Sequence, residues 1–258
     1  MGGFSLGEFL LIAVLCLVFL DPKDAGRLWG KFQRLKRQLL DVTDSVKGQL
    51  QESVKDPEMG AILETRDWWS ETDPAVLRRW AKERLAFLDG DKFAQASEQI
   101  KARALEWSVW QDASDIALYV ATPREFPTDS LIGLALVQGK RIWLPRVTGP
   151  TSMEMVRVAG PGDLVPGRFG IMEPRPDLAA PASVPKGLLV IAPGLVFDHH
   201  GHRIGKGKGF YDRWFAANPD AVRAGLCFDV QVHPARLEPG PHDMPMHHLL
   251  TEYRLESF

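Results

Sequence analysis

Beyond Asp73 the chain alternates short apolar runs with amphipathic helical stretches, and that alternation restricts its fold more than any other feature. Leu77 to Leu88 and Phe93 to Trp107 carry apolar residues at helical spacing, Asp115-Ile-Ala-Leu-Tyr-Val120 reads as a strand, and Ser130 to Leu136 reads as a further helix. Arg141-Ile-Trp-Leu144, Leu188 to Ala192 and Ala224-Gly-Leu-Cys-Phe228 read as strands. Helices interleaved with short apolar strands predict an α/β domain with a largely parallel sheet covered on both faces. With 258 residues, 45% of them apolar and 25% charged, the chain can bury an ordinary core in one or two domains.

The strand ending at Ala192 is stopped by Pro193-Gly194, and soon afterwards comes the segment Gly201-His-Arg-Ile-Gly-Lys-Gly-Lys-Gly-Phe-Tyr-Asp-Arg213. Gly205, Gly207 and Gly209 lack a Cβ, so a ligand can approach the backbone closely. Their N–H groups can form an anion-binding nest, to which Arg203, Lys206 and Lys208 add full positive charge. The segment fits neither common phosphate signature, because Gly207 follows Lys206 where Ser or Thr would be needed and Phe210 stands in place of a last glycine. A helix can begin at Phe210, and a ligand at the carboxyl end of a strand is where an α/β sheet binds one. A plain Gly-Lys surface turn is the alternative. Tyr211-Asp212-Arg213, with an aromatic and an acid at fixed offsets, argues against it.

A net charge of -2 gives no reason to expect nucleic-acid binding, and two cysteines, Cys16 and Cys227, provide no disulfide framework. All seven histidines follow residue 198, without the spacing of a helical metal pair, and read as solvated loop residues. Arg146 reads as a structural or surface residue.

The first residues differ in character. Phe9-Leu-Leu-Ile-Ala-Val-Leu-Cys-Leu-Val-Phe-Leu20 is continuously apolar and, with the segment from Phe4 to Glu8, reaches the lower end of the roughly 17–25 residues that span a bilayer. Lys23, Arg27, Lys31, Arg34, Lys36 and Arg37 follow it, which by the positive-inside rule predicts a single membrane span with the rest of the chain cytoplasmic. Leu28, Phe32, Leu35, Leu39, Val42, Val46 and Leu50 then form the stripe of an amphipathic helix. With Glu8 in the span and the turn Leu20-Asp21-Pro22-Lys23, residues 3–52 resemble the TatA/TatB family of twin-arginine translocase components. The expected organisation is an anchor over 1–52, a linker over 53–72 and a domain over 73–258.

Several separated motifs of that last domain occur in register with one family. Leu144-Pro-Arg146, Gly170-Ile-Met-Glu-Pro174, Pro193-Gly-Leu-Val-Phe-Asp198, the Gly-Lys loop through Arg213, and His242-Asp-Met-Pro245 with Leu250-Thr-Glu252 resemble 5-formyltetrahydrofolate cyclo-ligases. The resemblance implies a three-layer α/β/α fold. It also implies a reaction in which ATP and Mg²⁺ convert 5-formyltetrahydrofolate to 5,10-methenyltetrahydrofolate, ADP and phosphate through an imino-phosphate. Residue by residue, it places ATP on Arg78, Arg203, Ile204, Gly205, Lys206, Gly207, Lys208, Gly209, Phe210 and Tyr211, with Lys208 and Tyr211 catalytic. It places the folate on Val120, Glu125 and Phe169, and Mg²⁺ on Asp212 and Asp243. Two positions depart from the family: Pro74 stands where a phosphate-binding lysine is usual, with Arg79 or Lys82 as substitutes, and His247 replaces an acid. Those departures, with the unusual fusion, leave a second reading, a membrane-associated Tat-like component or adaptor whose folate and ATP domain is catalytically impaired.

Overall fold

A computed structural model describes residues 71–88, 90–167 and 170–258. The first helix, α1 (Pro74–Ala86), starts where Asp73 accepts the Ala75 amide at 2.8 Å and Pro74 takes the first turn, a position that needs no N–H. Helices α2 (Gly90–Glu106) and α3 (Ser108–Asp112) lead to β1 (Asp115–Ala117). Then follow α4 (Asp129–Val137), β2 (Arg141–Val147), β3 (Met153–Val158), and the pair β4 (Leu164–Pro166) and β5 (Met172–Pro174). The second half contains β6 (Leu189–Ala192), β7 (Val196–Asp198), β8 (Arg203–Ile204), α5 (Phe210–Ala217), β9 (Val222–Leu226), β10 (Val232–His233), β11 (His248–Leu250) and β12 (Leu255–Ser257).

Seven strands form the main sheet in the order β12-β11-β9-β6-β1-β2-β3. The five inner strands pair in parallel, and the edge strands β3 and β12 are antiparallel to their neighbours. Period-two burial separates the faces. Leu189 and Ile191 pack with Ile100 and Ala104 of α2 and Leu131 of α4, whereas Val190 and Ala192 pack with Trp214 and Phe215 of α5. Helices therefore cover both faces, as the alternation predicted. Helix α1 packs elsewhere: Leu77, Trp80 and Ala81 meet Leu195, Val196 and Leu237 around the small sheet β10-β7-β8.

The chain leaves β1 toward β2 on one side, while β6 lies on the other. The gap between β1 and β6 is thus the topological switch point of the sheet, where such folds bind ligands. Strand β1 stops at Ala117 rather than Val120, because Thr128 donates its hydroxyl to the Tyr119 carbonyl at 2.5 Å and draws the backbone out of the sheet. Strand β2 runs on to Val147, since β3 pairs with it across Ile142 to Val147.

The expected membrane-anchored localisation does not stand: among the described residues no helix is long and apolar enough to cross a membrane. The apolar run, the amphipathic stripe and the TatA/TatB resemblance of residues 3–52 lie outside the described residues.

Candidate active site

At the carboxyl ends of the parallel strands lies a cleft of about 920 Å³. The exit of β1 brings Tyr119, Val120, Thr122 and Glu125 to it, and the exit of β6 brings Pro193, Gly194 and Leu195. The glycine loop between β8 and α5 forms another wall. Gly207 at φ +85° and Gly209 at φ +60° hold left-handed backbone there, which a side chain would strain. Gly209 is also the residue before α5, so the open N–H groups of that helix face the cleft and favour an anion.

Arg78 reaches this loop from α1, donating Nε–H to the Gly205 carbonyl at 2.8 Å. A Cβ on Gly207 would lie 3.3 Å from its guanidinium, so the glycine makes room for the arginine as well as for the turn. Pro74 lines the cleft at the start of the same helix, whereas Arg79 and Lys82 do not. The cations that line the cleft beside the loop are therefore Arg78, Arg203, Lys206 and Lys208, while Arg213 donates to the Lys208 carbonyl without lining the cleft.

Those cations are held in different ways. Arg203 is buried, its side chain 6% exposed, and bonds Asp212 at 2.8 Å. It also lies 5.8 Å from the centre of the Tyr211 ring. Burial pulls the Arg203 guanidinium below its usual range, and Asp212 opposes that pull. Burial pushes the Tyr211 phenol well above its ordinary range, with Arg203 opposing, so the ring is neutral and its buried hydroxyl is unpaired. Lys208 is exposed and its ammonium has no partner among the described residues. Lys206 bridges to the other wall: its Nζ lies 2.8 Å from Glu125 Oε1 and 2.9 Å from Thr122 Oγ1, while Glu125 Oε2 accepts the Thr122 amide at 2.7 Å.

The carboxylates Asp212 and Asp243 also line the cleft. Asp212 Oδ1 is shared by Arg203 and, at 3.3 Å, the Met244 amide, and Asp243 Oδ2 accepts the Gly240 amide at 2.8 Å. Among the described residues no group of three or more His, Cys, Asp or Glu side chains could hold a metal. Two hard carboxylates without a full donor set fit Mg²⁺ that takes its remaining ligands from phosphates and water.

Every sequence-predicted site residue except one thus lies on a single cleft; Phe169 is outside the described residues. Sequence reasoning missed Thr122, whose role depends on a partner 84 residues away, and Glu173, which stands out in the sequence only as part of a motif. It also mistook the histidines as a group. His233 is fully buried with Nδ1 3.1 Å from the Ala235 carbonyl, and His202 Nδ1 lies 2.9 Å from the buried Asp198. Arg146 is structural, as its sequence context suggests, bonding Glu154 at 2.8 Å and the Arg175 carbonyl at 2.5 Å.

The model of the 5-formyltetrahydrofolate cyclo-ligase family matches residues 71–252. A probable 5-formyltetrahydrofolate cyclo-ligase of Caenorhabditis elegans is 34% identical over 148 residues, covering 55% of this chain and 72% of the relative. The 5-formyltetrahydrofolate cyclo-ligase of Mus musculus is 28% identical over 187 residues, covering 68% of this chain and 92% of its own. Among solved structures, the Aquifex aeolicus 5,10-methenyltetrahydrofolate synthetase superposes with a TM-score of 0.62 at 28% identity, over 71% of this chain and 92% of that one. The Mycoplasma pneumoniae 5,10-methenyltetrahydrofolate synthetase, at a TM-score of 0.52 and 18% identity, over 70% of this chain and 99% of that one, shares the fold.

Proposed function

The chain belongs to the 5-formyltetrahydrofolate cyclo-ligase family, and from that premise we propose that its cleft carries out the ATP-dependent closure of 5-formyltetrahydrofolate to 5,10-methenyltetrahydrofolate, with release of ADP and phosphate. The observation that carries this reading is the meeting, at 2.8 Å, of Lys206 from the glycine loop with Glu125 from the exit of β1. A phosphate cradle and a carboxylate suited to an organic substrate thus face each other across one cavity.

The chemistry asks for alignment and charge neutralisation more than for a covalent group on the protein. The formyl oxygen on N5 attacks the γ-phosphorus, the bond to the β-phosphate oxygen breaks, and ADP departs. N10 of the same folate then attacks the activated formyl carbon and loses its proton, and the C–O bond breaks to expel phosphate. Loop N–H groups, Lys208 and Arg78 stabilise the charge on the transferring phosphoryl group. Glu125 and Val120 orient the folate, and the Tyr211 ring forms the wall between the two ligands. Asp212 and Asp243 would hold Mg²⁺, whose contribution when bound is to neutralise charge on the phosphates. Residues 73–258 form the catalytic unit, a reading supported by the compact unit Asp67–Phe258 and the family match over 71–252.

The test is to incubate the full chain with 5-formyltetrahydrofolate and Mg-ATP and to follow the methenyl chromophore together with ADP. Equal amounts of the two products are expected. A folded protein that binds ATP yet forms neither product overturns the reading.

A further inference from the structure

Glu173 is the central residue of β5, and it lines the cleft although it is only 8% exposed. Its place is built. A Cβ on Gly167 would fall 2.4 Å from Glu173 Cδ and 2.5 Å from Cγ, so the side chain runs across bare glycine backbone to reach its position. There Oε2 accepts the Val147 amide at 3.2 Å, and no cation bonds the carboxylate among the described residues. The cleft wall nearby comes from Pro145, Val147, Met153, Ile171 and Met172.

Glu173 Oε2 has this one neutral amide, and the other oxygen opens onto the cleft. An amide side chain of the same length would satisfy the Val147 N–H equally well. The second carboxylate oxygen is therefore left for a donor that this chain does not supply. Glu125, the other acid on the folate side, has both oxygens engaged, Oε1 by Lys206 at 2.8 Å and Oε2 by the Thr122 amide at 2.7 Å. Asp212 is committed to Arg203, and Asp243 is exposed. Glu173 is the buried cleft carboxylate with an oxygen to spare.

We propose that Glu173 reads the 2-amino-4-oxo edge of the reduced pterin ring, accepting from ring N3–H with one oxygen and from the exocyclic 2-amino group with the other. Those two donors lie side by side like the prongs of a guanidinium, the shape a carboxylate pairs with bidentately. The adenine edge does not fit, because it sets a bare ring nitrogen beside its amino group and would face the carboxylate lone pair to lone pair. The assignment rests on the folate reading of the cleft and makes Glu173 a specificity-determining residue for it.

The experiment uses the full chain, 5-formyltetrahydrofolate, and the same folate lacking the 2-amino group. Glu173→Gln is expected to raise the KM for the natural folate about tenfold, the worth of one strong hydrogen bond. The KM for ATP, the kcat at saturation and the urea midpoint should stay near wild type. Wild type should discriminate against the desamino folate by a similar factor, and the variant should not. Gly167→Ala, which displaces the carboxylate without removing it, should raise the same KM. Equal discrimination by wild type and variant, or a parallel rise in the KM for ATP, overturns the proposal. Calorimetric binding of the two folates separates it from the reading beneath it. A wild type that binds folate with this dependence on Glu173 but makes no product overturns the turnover reading alone; one that binds no folate overturns both.

Discussion

Arg203 and Lys208 belong to one loop and differ in what surrounds them. Arg203 is buried against Asp212, so Arg203→Met leaves a carboxylate unpaired in a largely enclosed site and should cost about 3 kcal/mol of stability. Lys208 is exposed and its ammonium bonds no neighbour among the described residues, so Lys208→Ala should change stability by no more than about 0.5 kcal/mol. Its effect should fall on kcat/KM, lowered about 100-fold or more, as when one donor to a charged transition state is removed. Urea unfolding and steady-state kinetics on the two variants check the contrast; a destabilised Lys208→Ala protein, or an unchanged rate, contradicts it. Gly207 makes a second case. Its φ of +85° and the 3.3 Å that would separate an added Cβ from the Arg78 guanidinium mean that Gly207→Ala strains the backbone by about 1–2 kcal/mol and pushes Arg78 off the loop. The KM for ATP should rise more than the KM for folate, measured side by side.

The exit of β1 shows how elements share the task of building the cleft. Thr128 precedes α4 but does not cap it with its side chain; the hydroxyl turns back to the Tyr119 carbonyl at 2.5 Å, and Tyr119 Oη reaches the Phe126 carbonyl at 3.2 Å. This clasp shapes the loop that carries Val120, Thr122 and Glu125. Thr128→Val should therefore cost about 1–3 kcal/mol by leaving a buried carbonyl unpaired, and should raise the KM for folate. A thermal melt and folate kinetics test this, and a variant with wild-type folate KM would separate the clasp from the site. The sequence does not reveal the clasp, because Leu118, Tyr119 and Val120 continue the apolar pattern of a strand and only a contact with a distant residue ends it. Strand β6 was legible for the opposite reason: four buried residues stop at Pro193-Gly194, and the signal is entirely local. The same holds for α5, which starts where the glycines end. Pairs such as β7 with β8 or β4 with β5 are two or three residues per strand, too short for any period to register. The site divides in the same way. The glycine loop announces its chemistry within thirteen residues. That its Lys206 meets Thr122 and Glu125 follows from sheet order, which no local pattern encodes.

Across the whole molecule, the surroundings of His247 couple stability to pH. Arg223 is buried and donates from Nε to the Pro245 carbonyl at 2.7 Å, and its Nη2 lies 2.6 Å from His247 Nε2. A guanidinium only donates, so the ring must accept and must be neutral. The Arg223 amide also stands 3.2 Å from His247 Nδ1, so donors face both ring nitrogens. Burial is the largest influence pulling the His247 pKa down, followed by the charge of Arg223 and then by His248; burial lowers the pKa of His248 as well. Both rings therefore bind protons less readily in the folded chain than in the unfolded one. Their contribution to stability is complete above the unfolded value, about 6.5, and is lost as pH falls through the folded values. Glu252 acts with the opposite sign, since burial raises its pKa and its contribution declines as pH rises from about 4.5. The region from about pH 7.5 down toward about 5.5 isolates the histidines best. Urea midpoints there should fall with pH in the wild type. His247→Gln keeps an acceptor for Arg223 and cannot be protonated, so the fall should be shallower, leaving the share that belongs to His248. A variant whose midpoint drops as steeply as wild type would mean that the proton is taken up elsewhere and that Arg223 does not set the pH limit of this fold.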